Sequence, residues 1–202
     1  MWSLTVTPSS TPAITDTWTR EDVKTYLRIG LDDTAEDGTV DAITIAAQEW
    51  IESYVSKSLL RRTLVLRLDG WPCSGVIHLP RPPLVSVTSI TYTDTAGASQ
   101  TLASTDYTVS SYRQPGTVQP IYAGTFPSLL PVPDNVVITY EAGYATPELI
   151  PQRIRQAGLL LMGTLYEDRE SLVTDSTVAN LGILESLLAN EVCHHEFGED
   201  CG

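Results

Sequence analysis

Three groups of residues have the types that chemistry requires. Cys193, His194, His195 and Cys201 combine thiol and imidazole, the ligands zinc prefers. Their spacing matches no finger or ribbon, and no metal is expected there. Tyr166, Glu167, Asp168, Arg169 and Glu170 put three carboxylates around one guanidinium. Carboxylates that are paired and desolvated do acid–base work, so a hydrolase using this patch is one reading. A salt-linked helix end is the simpler one. His78 stands alone in a strand pattern and reads as a structural imidazole. There is no Gly-rich phosphate loop, Gly-x-Ser-x-Gly or His-Glu-x-x-His pattern. No catalytic residue, cofactor site or metal site is expected.

The charge balance narrows the remaining classes. Against 12 Lys and Arg stand 25 Asp and Glu, a formal net charge of −13. Proteins that grip nucleic acid neutralise phosphates with clustered cations. This chain suits the opposite task, a surface that DNA passes without sticking. Asp32, Asp33, Glu36, Asp37 and Asp41 form an acidic block with no neighbouring cation in the sequence, and after Arg169 the chain has no Lys or Arg. Hydrophobic residues make up 42% of 202 positions, enough for a substantial core. The start lacks a basic, then apolar, leader pattern. "AGLLLMGTL" falls far short of the roughly 20 apolar residues of a membrane span. Three cysteines without regular spacing read as incidental thiols.

The elements that would position these residues follow from periodicity. Residues 1–17, rich in Thr, Ser and Pro, read as a flexible arm. In "TREDVKTYLRIG", Thr19 and Asp22 fit a reciprocal helix cap, and Gly30 fits the stop. From near Thr39, Val40, Ile43, Ala47, Trp50, Ile51 and Tyr54 recur at spacings of three and four, one apolar helical stripe. The period then falls to two at "TLVLRLDGWP". Pro80, Pro82 and Pro83 make a stiff connection that sets where the next strand begins. In that strand Val85 and Val87 share one parity, Ile90 and Tyr92 the other, which predicts a bulge between them. Strands follow to "VVITYEAGY". Helix returns at "PELIPQRIRQAGLLLMGTLYEDRES", apolar almost all round, and again at "ANLGILESLLANEV".

The expected fold class is α+β: a small bundle of about four helices with an inserted antiparallel β-domain. The divisions are an arm over 1–17, a helical core over 18–62 and 147–177, a β-domain over 63–146, and a C-terminal helix with an acidic tail over 178–202. Leu181, Ile183, Leu184, Leu187 and Leu188 form an apolar face suited either to completing the bundle or to lying in a partner's groove.

Taken in order, "VKTYLRIGLDDT", "AAQEWIESYVSKSLLRRT", "LPRPPLVSVTSITYTDTAG", "VVITYEAGY" and "IPQRIRQAGLLLMGTLYEDRES" resemble the head–tail connector (adaptor, head-completion) family of tailed bacteriophages, also found in gene transfer agents. The resemblance runs from about Trp18 to about Leu188. It implies a structural virion protein of the neck, assembled in the host cytoplasm, and no enzyme. It implies a homo-oligomeric ring, usually of about 12 copies, between the portal protein and a stopper, tail-terminator or other tail protein. Genome DNA would cross its channel during packaging and ejection without specific binding, and no membrane is involved. It also implies portal docking by the C-terminal segment, for which the five apolar residues named above are the candidates. A ring of acidic subunits needs complementary patches to offset repulsion. Arg61, Arg62, Arg67, Arg153 and Arg155 are the candidates on one side, with Asp32, Asp33, Glu36 and Asp37 on the other. The competing reading outside catalysis is a β-rich receptor- or carbohydrate-binding virion module, for which Trp71 and Phe126 are the available aromatics.

Overall fold

The structure, a computed structural model, describes residues 2–6, 17–167 and 175–193, with side chains described over 17–167 and 182–193. The described residues form an α+β fold of four α-helices and two antiparallel sheets. They group into two compact units. One comprises β1 (Trp2–Val6) and the stretch 61–143; the other runs up to Leu60 and resumes at Tyr144.

In the helical unit, α1 (Arg20–Leu27) begins with the expected cap: the Thr19 hydroxyl accepts from the Asp22 amide at 3.1 Å, and the Asp22 carboxylate accepts from the Thr19 amide at 3.3 Å. Two orphan helix donors are satisfied reciprocally. The stop differs from expectation. Arg28, not Gly30, adopts the left-handed conformation, and the Ile29 amide closes on the Lys24 carbonyl at 2.9 Å. That turn satisfies the carbonyls two residues before the glycine is reached.

α2 (Asp37–Val55) buries Val40, Thr44, Ala47, Ile51 and Val55, while Trp50 and Tyr54 stack at its flank. It stops at Ser56, in the left-handed region. Glu52 from its last turn accepts the Leu59 amide at 2.9 Å, which pins the 56–60 turn. A single 3-10 turn, Pro147–Leu149, leads to α3 (Gln152–Glu167), which buries Ile154, Ala157, Gly158, Leu161 and Met162. α3 is less enclosed than its composition predicts, because Leu159 and Leu160 are half-buried and Leu165 is exposed. α4 (Asp175–Leu188) packs on α3, with Leu184 and Leu188 in the same core as Trp18, Ile51 and Met162. No helix among the described residues is long and apolar enough to cross a membrane.

In the β unit, one sheet has the order β1-β2-β8-β4-β5. Its members are β1, β2 (Arg62–Leu68), β4 (Leu84–Thr93), β5 (Ser99–Thr101) and β8 (Val136–Ala142). Strict alternation buries Leu64 and Leu66 of β2 and Val136, Ile138, Tyr140 and Ala142 of β8. β1 falls inside the segment expected to be an arm. It pairs antiparallel with β2 from Trp2 opposite Leu68 to Val6 opposite Leu64. Five strand-competent residues ahead of the Ser/Pro-rich stretch suffice to cover an otherwise open sheet edge.

The ladder of β4 with β8 shifts register between Leu84 and Ser86 and again between Val87 and Ser89. The second shift is the bulge that the change of parity predicts, and it turns Ile90 into the core. A second sheet, β3-β7-β6, consists of β3 (Ile77–Leu79), β7 (Gly116–Pro120) and β6 (Tyr107–Ser110). Ahead of β4, the Tyr140 hydroxyl donates to the Pro80 carbonyl at 2.8 Å, so the proline connection is anchored from beneath. Cys73 is disulfide-bonded, contrary to the expectation of incidental thiols, whereas Cys193 is a buried thiol outside any disulfide.

Candidate functional site

The acidic block is less open than its sequence implies. Arg20 and Lys24, one turn apart on α1, face the start of α2. Arg20 Nε lies 2.9 Å from Asp41 Oδ1, and its Nη1 lies 3.0 Å from Asp37 Oδ2. Lys24 pairs with Asp37 and donates to the Asp33 carbonyl at 2.7 Å, although it is almost fully buried. The hydrogen bond from Arg20 holds the Asp41 carboxyl below its usual range. Asp37 is therefore largely neutralised within the chain. Asp32 and Asp33 remain on the surface, and the Asp33 carboxylate also accepts the Ala35 amide at 3.0 Å. Glu36, half-buried, stands at the N-cap position of α2, where negative charge suits the helix dipole.

The basic candidates divide between the two units. In the β unit, Arg61 lies over Glu141, with Nε 3.1 Å from Oε2, and Ser86 reaches the same oxygen at 3.4 Å. Arg62 and Arg67 are half-buried on β2, in register with Ala142 and Val137 of β8. In the helical unit, Arg153 is exposed in the first turn of α3 and Arg155 is half-buried one residue beyond Ile154. Two cations and no acid occupy the N-terminal end of α3, where the helix dipole disfavours positive charge. Glu148 lies just ahead of them. Its carboxyl is held below the usual range chiefly by the Thr146 hydroxyl, and to a smaller extent by the charge of Arg155.

The five apolar residues of the C-terminal helix do not share one environment. Leu184 and Leu188 are fully buried in the helical core, Leu187 is half-buried against it, and Ile183 is 51% exposed. The side chain of Leu181 lies outside the described residues. In this conformation Leu184, Leu187 and Leu188 contribute to the chain's own bundle.

The places where other chemistry was conceivable are sparse. Tyr166 and Glu167 line a cleft of about 550 Å³ with Tyr26, Leu27, Arg28, Leu160, Gly163 and Thr164. Glu167 is the single described carboxylate of the patch, since Asp168 and Glu170 fall outside the described residues. His78, on β3, is half-buried opposite Thr117. Of the metal-like group only Cys193 is described, and no cluster of three or more potential metal ligands occurs among the described residues. Trp71 is stacked on Phe126 with centroids 4.2 Å apart and donates from Nε1 to the Pro127 carbonyl at 2.8 Å. One face of the indole is thus covered by the chain itself, which leaves a poor platform for a sugar.

Sequence reasoning passed over Arg20 and Lys24, and read Lys57 only as a cation near the end of the second helix, without its partner Glu191. Their signals are visible in retrospect. Asp37 and Asp41, four residues apart, share one helix face, as Arg20 and Lys24 do. Lys57, just past the end of α2, meets Glu191.

No family model matches the sequence, and no curated protein sequence is similar to it. Solved structures do match. A chain from the neck of an empty gene transfer agent particle, computed with C6 symmetry, superposes with a TM-score of 0.78 at 21% identity, covering 98% of both chains. A chain of the virion of the native particle gives 0.75 at 22% identity, covering 97% of this chain and 98% of that one. A chain from the native neck, computed with C12 symmetry, gives 0.73 at 20% identity, again covering 98% of both. The protein has, along nearly its whole length, the fold of gene transfer agent neck chains.

Proposed function

We propose that this protein is a structural head–tail adaptor. It forms an oligomeric ring at the neck of a phage-like particle, between the portal and the next neck or tail protein, and leaves a channel for genome DNA. The observation that carries the reading is the end-to-end match to neck chains, one of them in a particle treated with twelve-fold symmetry.

The charge layout supports a ring. A heterologous contact needs two different patches on each subunit. Exposed Asp32 and Asp33 on the α1–α2 loop provide one, and Arg153 at the start of α3 provides a cation that its own helix does not favour. The net charge of −13 keeps DNA phosphates from adhering as they pass. Docking on the portal is assigned to α4. Ile183 already faces outward, whereas use of Leu184 and Leu188 requires α4 to leave α3. The role is one of assembly, with no catalytic step.

The test is native mass spectrometry and negative-stain microscopy of the purified chain, alone and mixed with its portal ring. Closed rings, or co-sedimentation with the portal in fixed ratio, are the expected results. A chain that stays monomeric and fails to sediment with the portal overturns the reading.

A further inference from the structure

α4 ends without a cation of its own. Its last turn has no basic residue, and the chain has no Lys or Arg beyond Arg169. The C-terminal end of a helix carries partial negative charge and is stabilised by a nearby cation. Here the cation comes from 134 residues upstream: Lys57 Nζ lies 2.9 Å from Glu191 Oε2. The side chains keep 7% and 17% of their exposure, so this pair is shielded from solvent far more than Arg61–Glu141.

Both partners are positioned by their own backbone. Lys57 follows the left-handed Ser56, in the turn that Glu52 pins through the Leu59 amide. Glu191 is held by its amide, which donates to the Leu188 carbonyl at 2.8 Å. Tyr144 lies close by, its hydroxyl pKa raised by burial and further by the charge of Glu191.

Among the described side chains of α4, the apolar hold is made by Leu184 and Leu188, fully buried, and Leu187, half-buried against the same core, while Ile183 turns outward. Gly182 has open space where a side chain would stand, and glycine weakens a helix interior.

We propose that the Lys57–Glu191 ion pair is a latch that holds α4 on the helical unit and governs how often it leaves. A buried pair contributes little net stability while closed, but removing one partner strands the other charge away from water. The pair therefore acts as a selector between attached and detached states. The proposal supplies the regulation of the α4 docking surface assigned above, and it rests on that reading for its purpose alone.

The experiment is amide hydrogen exchange on the full chain as wild type, Lys57→Met, and the reversed pair Lys57→Glu with Glu191→Lys. Lys57→Met should speed exchange at residues 184–188 by roughly tenfold or more, with the buried amides of α2 and α3 unchanged. The reversed pair should return α4 close to wild-type protection. The latch is overturned if α4 exchange in Lys57→Met stays within about twofold of wild type, if α2 and α3 accelerate as much as α4, or if the reversed pair fails to restore protection. Portal co-sedimentation of Lys57→Met is a separate readout. If α4 is freed and portal capture does not rise, the docking reading falls and the latch stands.

Discussion

Gly158 of α3 lies directly beneath the indole of Trp18. A Cβ built on Gly158 would fall 2.7 Å from Cε2 of the ring and closer still to Cζ2. The same indole donates from Nε1 to the Arg155 carbonyl at 3.2 Å, one turn earlier on α3. Trp18 is 1% exposed and thus held by packing on one side and a hydrogen bond on another. The glycine is what allows the segment before α1 to close on α3.

Gly158→Ala tests this contact. Alanine favours a helix over glycine by up to about 1 kcal/mol, but overpacking a fixed core costs about 1–3 kcal/mol. Trp18 is fully buried and hydrogen-bonded to α3, so the overlap wins. We expect a net loss of about 1–2 kcal/mol in chemical denaturation, and a smaller loss when Gly158→Ala is combined with Trp18→Phe. A Gly158→Ala variant as stable as wild type would show that the ring can shift.

Lys24→Met tests the buried end of the α1–α2 ion cluster. Methionine keeps most of the volume and removes the charge. Asp37 retains Arg20, which softens the loss, but the Asp33 carbonyl loses its donor. A destabilisation of about 2–3 kcal/mol is expected, read from the midpoint of urea unfolding at constant slope.

Tyr140→Phe isolates one buried hydrogen bond. The hydroxyl donates to the Pro80 carbonyl at 2.8 Å within the β core, so its removal leaves that carbonyl unsatisfied. The expected cost is about 1–2 kcal/mol, with near-ultraviolet circular dichroism otherwise unchanged. Burial also raises the phenol pKa well above its ordinary value, so Tyr140 should remain protonated in alkaline titration.

Acid should loosen the α1–α2 contact. The Asp41 carboxyl is depressed below its ordinary 3.8, first by the hydrogen bond from Arg20. A folded-state pKa below the unfolded value adds stability that is complete above the unfolded value and vanishes as pH falls through the folded one. The thermal midpoint should therefore drop as pH falls below about 4. Asp41→Asn should flatten part of that drop, and an identical pH profile for the two proteins would count against the Arg20–Asp41 contribution.

Much of this fold is legible along the chain because its signals are local. The Thr19 cap depends on a residue three positions away, the α2 stripe on spacings of three and four, and the β4 bulge on a change of parity within ten residues. The α+β class follows from where the period switches from 3.6 to two. The charges of Asp32, Asp33 and Arg153 were also legible, because all three stay exposed in the fold.

What stayed hidden depends on partners far apart in the chain. That Trp2–Val6 joins a sheet follows from an edge of β2 left open. That Arg20 and Lys24 quench Asp37 follows from the packing of α1 against α2. Whether Leu184 and Leu188 complete a bundle or stand ready for a partner could not be read from their spacing, since both roles need the same apolar face. The fold settles it for this conformation by burying them beside Ile51 and Met162, and it brings Lys57 across 134 positions to hold the end of the helix. Periodicity records which face of an element is apolar; what covers that face is set by the packing of the whole chain.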